Sequence, residues 1–167
     1  MEKNEIVLLL GGNIGDTRGY LRNAITLLEQ YMGFITHQSY FYKTASWGYD
    51  SHDFINLALQ IETDKSAEEC LKITQEIEDE LGRVKERSEE KYSDRTLDID
   101  IIFYNELVLN SDELIIPHPR MHKRNFVLQA LAEIIPEYQH PVFQKSILEL
   151  AKQCTDKSKA TLLNEQV

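Results

Sequence analysis

With 167 residues, 42% of them hydrophobic and 28% charged, the chain has enough apolar material for one domain with a true core. A formal net charge of −10 and a sequence pI of about 5.0 exclude a general nucleic-acid or membrane-surface binder. No apolar run approaches the ~18 residues of a membrane span. The first residues lack a signal-peptide layout, and Cys70 and Cys154 are too few and too isolated for a disulfide framework or a thiolate metal site. A cytoplasmic protein with reduced thiols is expected, forming one domain over 1–167 with a polar, frayed tail from about residue 155.

In chain order, Ile6-Val7-Leu8-Leu9-Leu10 is a short apolar run closed by Gly11-Gly12, the pattern of a central strand. Asn13-Ile14-Gly15-Asp16 is a turn with Asp16 as N-cap. Leu21, Ala24, Ile25, Leu27, Leu28 and Tyr31 recur at helical spacing, and Gly33 is read as the helix stop. Phe34 to Trp47 reads as a strand, and Asp53 to Thr63 as a second one able to pair with it. Ser66-Ala67-Glu68-Glu69 is a capping box opening a helix that runs to Gly82. The densely charged 83–94 stretch has no apolar period and reads as a loop. A strand through Asp98 to Tyr104 follows, then a turn at Asn105-Glu106 and a short strand near Leu107-Val108-Leu109. A helix from about Met121 carries Phe126, Val127, Ala130, Leu131 and Ile134. A last helix spans about 146–153.

This β-α-β-β-α-β order is that of a ferredoxin-like α+β sandwich. It implies two helices on one face of an antiparallel sheet, with the other face left available, followed by a C-terminal hairpin and helices. Many functions share that layout, so the chemistry must come from particular residues.

The strongest of these lie in Asp94-Arg95-Thr96-Leu97-Asp98-Ile99-Asp100-Ile101. Side chains alternate on a strand, so Leu97, Ile99 and Ile101 can enter a core while Asp98 and Asp100 share the opposite face, about 6.5–7 Å apart. Two carboxylates on one half-buried surface call for a cation, and Mg²⁺ is a hard ion held in this way together with substrate phosphates. The plainer reading is an edge strand with a polar outer face.

Cations bracket the pair. Arg83, Lys85, Arg87, Lys91 and Arg95 precede it, and His118, Arg120, His122, Lys123 and Arg124 follow. They suit a polyphosphate, although interleaved Glu86, Glu89 and Glu90 also fit a solvated surface loop. His118 and His122 have neither an HExxH motif nor a third ligand, so zinc is not implied, and His118 reads better as a donor to phosphate. Gly11 to Gly15 is no complete phosphate-binding fingerprint and reads as a tight turn. Phe54 and Asn56 share a strand face and place an aromatic wall beside a donor–acceptor amide, which suits a flat heterocycle.

Taken together, these stretches resemble the 6-hydroxymethyl-7,8-dihydropterin pyrophosphokinase family. The resemblance rests on Gly11 to Asp16, Phe54-Ile55-Asn56, Glu78 with Leu81-Gly82-Arg83, Arg95 to Ile101, and Ile116-Pro117-His118-Pro119-Arg120-Met121, in order from about Ile6 to Glu137. It implies transfer of pyrophosphate from ATP to a pterin alcohol in folate biosynthesis, with AMP released. It further implies two Mg²⁺ ions on Asp98 and Asp100, with Arg83 and Arg95 as catalytic cations. Gln75, Glu78, Lys85, Arg95, Ile101, His118 and Arg124 would lie at ATP. Thr44, Ala45, Trp47, Phe54, Asn56 and Phe126 would line the pterin pocket, and loops at about 11–16, 46–52 and 83–94 would close over both substrates.

Where the family usually carries Gly-Pro before the signature Arg, this chain has Ser93-Asp94, preceded by Tyr92 as the lid aromatic. The expected partners are small molecules acting on a monomer, with no nucleic acid or membrane. Two other classes use the same residues: a Mg²⁺-dependent phosphohydrolase, and a non-catalytic ferredoxin-like module that binds a heterocycle. The first would hydrolyse ATP without pterin; the second would form no product.

Overall fold

The computed structural model describes residues 3–44, 53–82, 97–158 and 160–163. The chain forms β1 (Asn4–Gly12), α1 (Thr17–Tyr31), β2 (Gly33–Gln38), β3 (Tyr42–Thr44), β4 (Phe54–Thr63), α2 (Ala67–Gly82) and β5 (Asp98–Tyr104). A hairpin of β6 (Leu109–Asn110) and β7 (Ile115–Ile116) follows, then a 3-10 turn (Met121–Lys123), α3 (Asn125–Ile134), α4 (Ile147–Gln153) and β8 (Thr161–Leu162).

An apolar strand without alternation has no wettable face and belongs at the centre of a sheet. β1 is that strand: it pairs antiparallel with β4 on one side and β5 on the other. β2 and β3 pair one after the other along the far edge of β4, and β8 extends the sheet beyond β3. The order β5-β1-β4, with β2 and β3 beyond β4, is the ferredoxin-like arrangement predicted from the sequence. The predicted 34–47 strand is divided at Ser39. Its N–H donates to the Ala58 carbonyl while its hydroxyl accepts the Ala58 N–H, so a side chain takes the place of one ladder bond.

Ile6, Leu8, Leu10, Leu57, Leu59, Ile61, Ile99 and Ile101 face α1 and α2. The sequence leaves the other face available; the structure does not. Val7, Leu9, Ala58, Ile102 and Phe103 lie beneath Val127, Leu128, Ala130 and Leu131 of α3, with Ile147 and Leu150 of α4. The result is three layers, the arrangement that an all-apolar β1 requires. In β5, Leu8 lies opposite Ile101 and Val7 opposite Phe103, so Ile102 is the extra residue of a bulge.

The predicted caps form. Asp16 accepts from the Gly19 N–H, and Ser66 and Glu69 exchange both capping-box bonds. Gly33 has another role than a helix stop. α1 ends with Met32 in right-handed geometry, while a Cβ on Gly33 would stand 1.9 Å from the Glu62 carbonyl oxygen, so the glycine permits close pairing of β2 with β4. The hairpin strand lies at Leu109–Asn110, leaving Leu107 and Val108 exposed. The helix predicted from Met121 is broken at Arg124, which is extended (φ −122°, ψ 113°). The tail is not frayed over its described length, since Thr161–Leu162 pairs with β3. Cys70 and Cys154 are free thiols, and among the described residues no helix is long and apolar enough to cross a membrane.

Candidate active site

Residues directly opposed in an antiparallel ladder point to the same face. The register sets Asp98 of β5 opposite Gly11 of β1, Gly11 opposite Asn56 of β4, and Asn56 opposite Tyr42 of β3. Phe54 pairs with Thr44 at the rim, and Asp100 pairs with Leu9 one step deeper. Leu9 and Ala58 belong to the core under α3, so the whole row lies on the α3 side of the sheet. The two constellations that the sequence presents separately, the acidic strand and the Phe54–Asn56 pair, thus share one surface. Two strand spacings, about 10 Å, separate Asp98 from Asn56.

Gly11 makes the crossing possible. A Cβ there would stand 2.1 Å from Asn56 Oδ1, so the amide lies flat over the β1 backbone. Asn56 is only 6% exposed, and its Nδ2 has no hydrogen-bond partner among the described residues. A buried amide donor without a partner costs about 1–3 kcal/mol. A ligand acceptor at that point would recover it.

Asp98 and Asp100 are half-buried, and the intervening Ile99 turns its side chain into the opposite core. The Ile99 N–H leaves the outer edge of β5 and donates to Glu78 Oε2 of α2 at 2.6 Å. Glu78 therefore grips the strand between the two aspartates. The Ile101 side chain is buried on the α1/α2 side, so only its main chain can reach a nucleotide. By strand alternation its N–H and C=O lie on the same outer edge as that of Ile99. Gln75 is exposed one helical turn before Glu78.

The segment after β7 runs beside this edge, with the His118 N–H donating to the Ile102 carbonyl. His118 Nδ1 accepts the Arg120 N–H at 3.1 Å, which leaves the proton on Nε2. Burial and the neighbouring Arg124 and Arg120 charges push its pKa down to about 4. His118 is thus a neutral N–H donor at ordinary pH. Arg124 and Phe126 flank the first residue of α3, both half-buried. The His122 ring meets the Phe143 ring edge-on, with centroids 4.7 Å apart.

Ala45, Trp47, Arg83, Lys85, Tyr92 and Arg95, with the loops at about 46–52 and 83–94, lie outside the described residues. Two contributors are not evident in the sequence. One is Gly11, hidden in an ordinary strand-to-turn run. The other is Glu133 of α3, which accepts from the Tyr42 hydroxyl at 2.8 Å and from the Tyr40 N–H, tying α3 to β3. Burial, and then that carboxylate, push the Tyr42 pKa up.

Among the described residues no three carboxylate, imidazole or thiol groups gather as a metal site. Asp98 and Asp100 offer two hard oxygen donors on one face, a set that could hold a cation such as Mg²⁺, which shares its coordination with phosphate and water.

A family model described as 7,8-dihydro-6-hydroxymethylpterin-pyrophosphokinase (HPPK) matches residues 7–136. The chain is 42% identical over 138 residues to the 2-amino-4-hydroxy-6-hydroxymethyldihydropteridine pyrophosphokinase of Bacillus subtilis (strain 168), covering 81% of each protein. It is 35% identical over 151 residues to the protein of the same name from Aquifex aeolicus (strain VF5), covering 90% of this chain and 92% of that one. Among solved structures it resembles a Plasmodium falciparum HPPK-DHPS triple mutant with STZ-DHP (TM-score 0.74, 19% identity), over 91% of this chain and 43% of that chain. At that identity the likeness shows the fold, and this chain spans less than half of that longer protein.

Proposed function

The chain belongs to the 7,8-dihydro-6-hydroxymethylpterin-pyrophosphokinase family, and from that premise we propose that it transfers pyrophosphate from ATP to the hydroxymethyl group of 6-hydroxymethyl-7,8-dihydropterin. The observation that carries this reading is the shared face. A buried amide donor at Asn56 that has no partner among the described residues and a carboxylate pair at Asp98 and Asp100 stand about 10 Å apart on one rigid sheet. That is room for a flat heterocycle at one end and a metal-bound phosphate at the other.

Asn56 reads the amide edge of the pterin, with Phe54 and Phe126 against its ring and Thr44 at the rim. Ala45 and Trp47 complete that pocket. Gln75, Lys85, Arg95, the Ile101 main chain, His118 and Arg124 hold the nucleotide, and Glu78 keeps the acidic strand in place. Asp98 and Asp100 fit two Mg²⁺ ions, which when bound would screen the phosphate charge. Tyr92 belongs to the lid.

The pterin oxygen bonds to the β-phosphorus of ATP, and the bond from that phosphorus to the α–β bridging oxygen breaks. AMP leaves, and the hydroxyl proton passes to solvent or to a phosphate oxygen. The protein supplies position and charge: Asn56 orients the acceptor, Arg83, Arg95 and Arg124 oppose the phosphates, and neutral His118 donates from Nε2.

The test is product analysis. ATP, Mg²⁺ and the pterin alcohol are expected to give AMP and the pterin diphosphate in equal amounts, with no AMP when pterin is left out. ADP, or free phosphate formed at a rate indifferent to pterin, would overturn the proposal and point to a phosphohydrolase. Asp98→Asn and Asp100→Asn are each expected to lower turnover by roughly 10³-fold or more while leaving the folded spectrum unchanged.

A further inference from the structure

Residues 155–158, after α4, and residues 160–163, at the outer edge of the sheet, between them touch both walls of the proposed pterin pocket. At α3, Asp156 Oδ2 accepts the Asn125 N–H at 2.9 Å, and the Asn125 side-chain amide donates to the Ser158 carbonyl at 2.8 Å. One turn further along α3, Gln129 Oε1 accepts the Ala160 N–H at 3.0 Å. At β3, Leu162 and Thr161 pair with Tyr42 and Lys43, and the Leu163 N–H donates to the Phe41 carbonyl. Asn125 lies between Arg124 and Phe126, and Lys43 lies beside Thr44.

The first turn of a helix has N–H groups without intrahelical partners, and α3 has no side-chain cap from its own N-cap residue, Arg124. Asp156 supplies that cap from 31 residues away. Ser158 in turn fixes Asp156, donating from its N–H (3.0 Å) and its hydroxyl (2.7 Å) to Oδ1. Hydrogen bonds from Asn125 and Ser158 hold the Asp156 carboxyl below the usual carboxylate range, so it is an ionised acceptor at neutral pH.

We propose that residues 155–158 and 160–163 act as a strap that sets the spacing between the aromatic wall on α3 and the rim on β3, with Asp156 and Gln129 as positioning residues for pterin binding. The proposal rests on the pyrophosphokinase reading for its substrate. The mechanical link stands apart from it, because its contacts need no ligand.

Two measurements on the full chain separate the two. Amide hydrogen exchange, read without substrate, is expected to quicken about tenfold at 125–128 and 42–44 in both Asp156→Ala and Gln129→Ala. In steady state both variants are expected to raise the KM for the pterin alcohol about 3- to 10-fold, with kcat and the KM for ATP changed less than about twofold. Asp156→Asn, which keeps one acceptor oxygen, is expected to fall between Asp156→Ala and wild type. Unchanged exchange in both alanine variants overturns the strap. Altered exchange with no change in pterin KM, or with pterin KM, ATP KM and kcat moving together, reduces it to a structural tie. A wild-type chain that makes no AMP with pterin overturns the functional reading instead, and exchange alone then decides the strap.

Discussion

Gly11→Ala is the sharpest test of the way the sheet builds its pocket. The new methyl would begin 2.1 Å from Asn56 Oδ1, where real contacts stop near 3.0 Å, so the amide must retreat by at least 0.9 Å (3.0 − 2.1). Asn56 is 6% exposed and has little room to retreat into. Overpacking of this kind costs about 1–3 kcal/mol. For a chain of this size that lowers the melting temperature by about 2–12 °C. The functional loss is expected to be larger, because a displacement of about 1 Å in a positioning group can cost about 10²-fold. The assay is a double-mutant cycle in urea, run beside pterin titrations. Asn56→Ala alone is expected to cost under about 1 kcal/mol, since it also removes a buried donor that lacks a partner among the described residues. In the Asn56→Ala background the added methyl should be nearly harmless, giving a coupling of about 1–3 kcal/mol. Strict additivity, or a Gly11→Ala protein that binds pterin as wild type does, would refute the account of the pocket.

Glu78→Ala is expected to cost about 1–3 kcal/mol in urea denaturation, because the Ile99 N–H loses its partner; Glu78→Gln, which keeps an acceptor, should recover most of it. Equal stability in both variants would show that the grip on β5 is unimportant. Acid stability follows from His118 and His140, each pushed down to about 4, chiefly by burial. Because the unfolded chain takes up protons near pH 6.5 and the folded one only near 4, stability is full above about pH 6.5 and falls as pH drops toward 4. Denaturation series at pH 7.5 and 5 check the slope, which His140→Gln should reduce; a flat profile contradicts the burial of these rings. For the same reason His118 should contribute no limb near pH 6.5 to the activity profile, and a limb there that disappears in His118→Gln would contradict its neutral state.

Much of the fold is legible locally. The period of two in Leu97 to Ile101 puts the carboxylates together, and the capping signatures at Asp16 and Ser66 mark helix starts because their partners lie three residues away. What the sequence hides is non-local. Nothing near Gly11 announces that Asn56, 45 positions later, will lie over it; register alone brings them together. Gly33 looks like a helix stop because its real constraint, the Glu62 carbonyl, comes from another strand. The polar tail is read as frayed because its hydrogen-bond partners at Asn125, Gln129 and Phe41 are far away along the chain. The covered second face is the one miss with a local signal: a strand apolar at every position from Ile6 to Leu10 leaves no side for water.

The bulge at Ile102 works as a gear tooth. Below it, Asp98 and Asp100 face α3; above it, Tyr104 faces the other way, its hydroxyl donating to the Lys65 carbonyl. Strict alternation from Asp98 would turn Tyr104 toward α3. With Tyr104 held in place, it would turn both carboxylates into the apolar layer under α1 and α2. One surplus residue reconciles the two halves of the strand. Removing it while keeping the flanking residues would straighten the ladder and leave both ends correctly faced, whereas a one-residue insertion or deletion between Asp98 and Ile101 would throw the carboxylates out of phase with everything beyond. Loss of Ile102 would therefore keep the facing of the strand at the cost of a buried side chain and of the His118 anchor on its carbonyl, whereas a change three residues earlier would lose the facing itself.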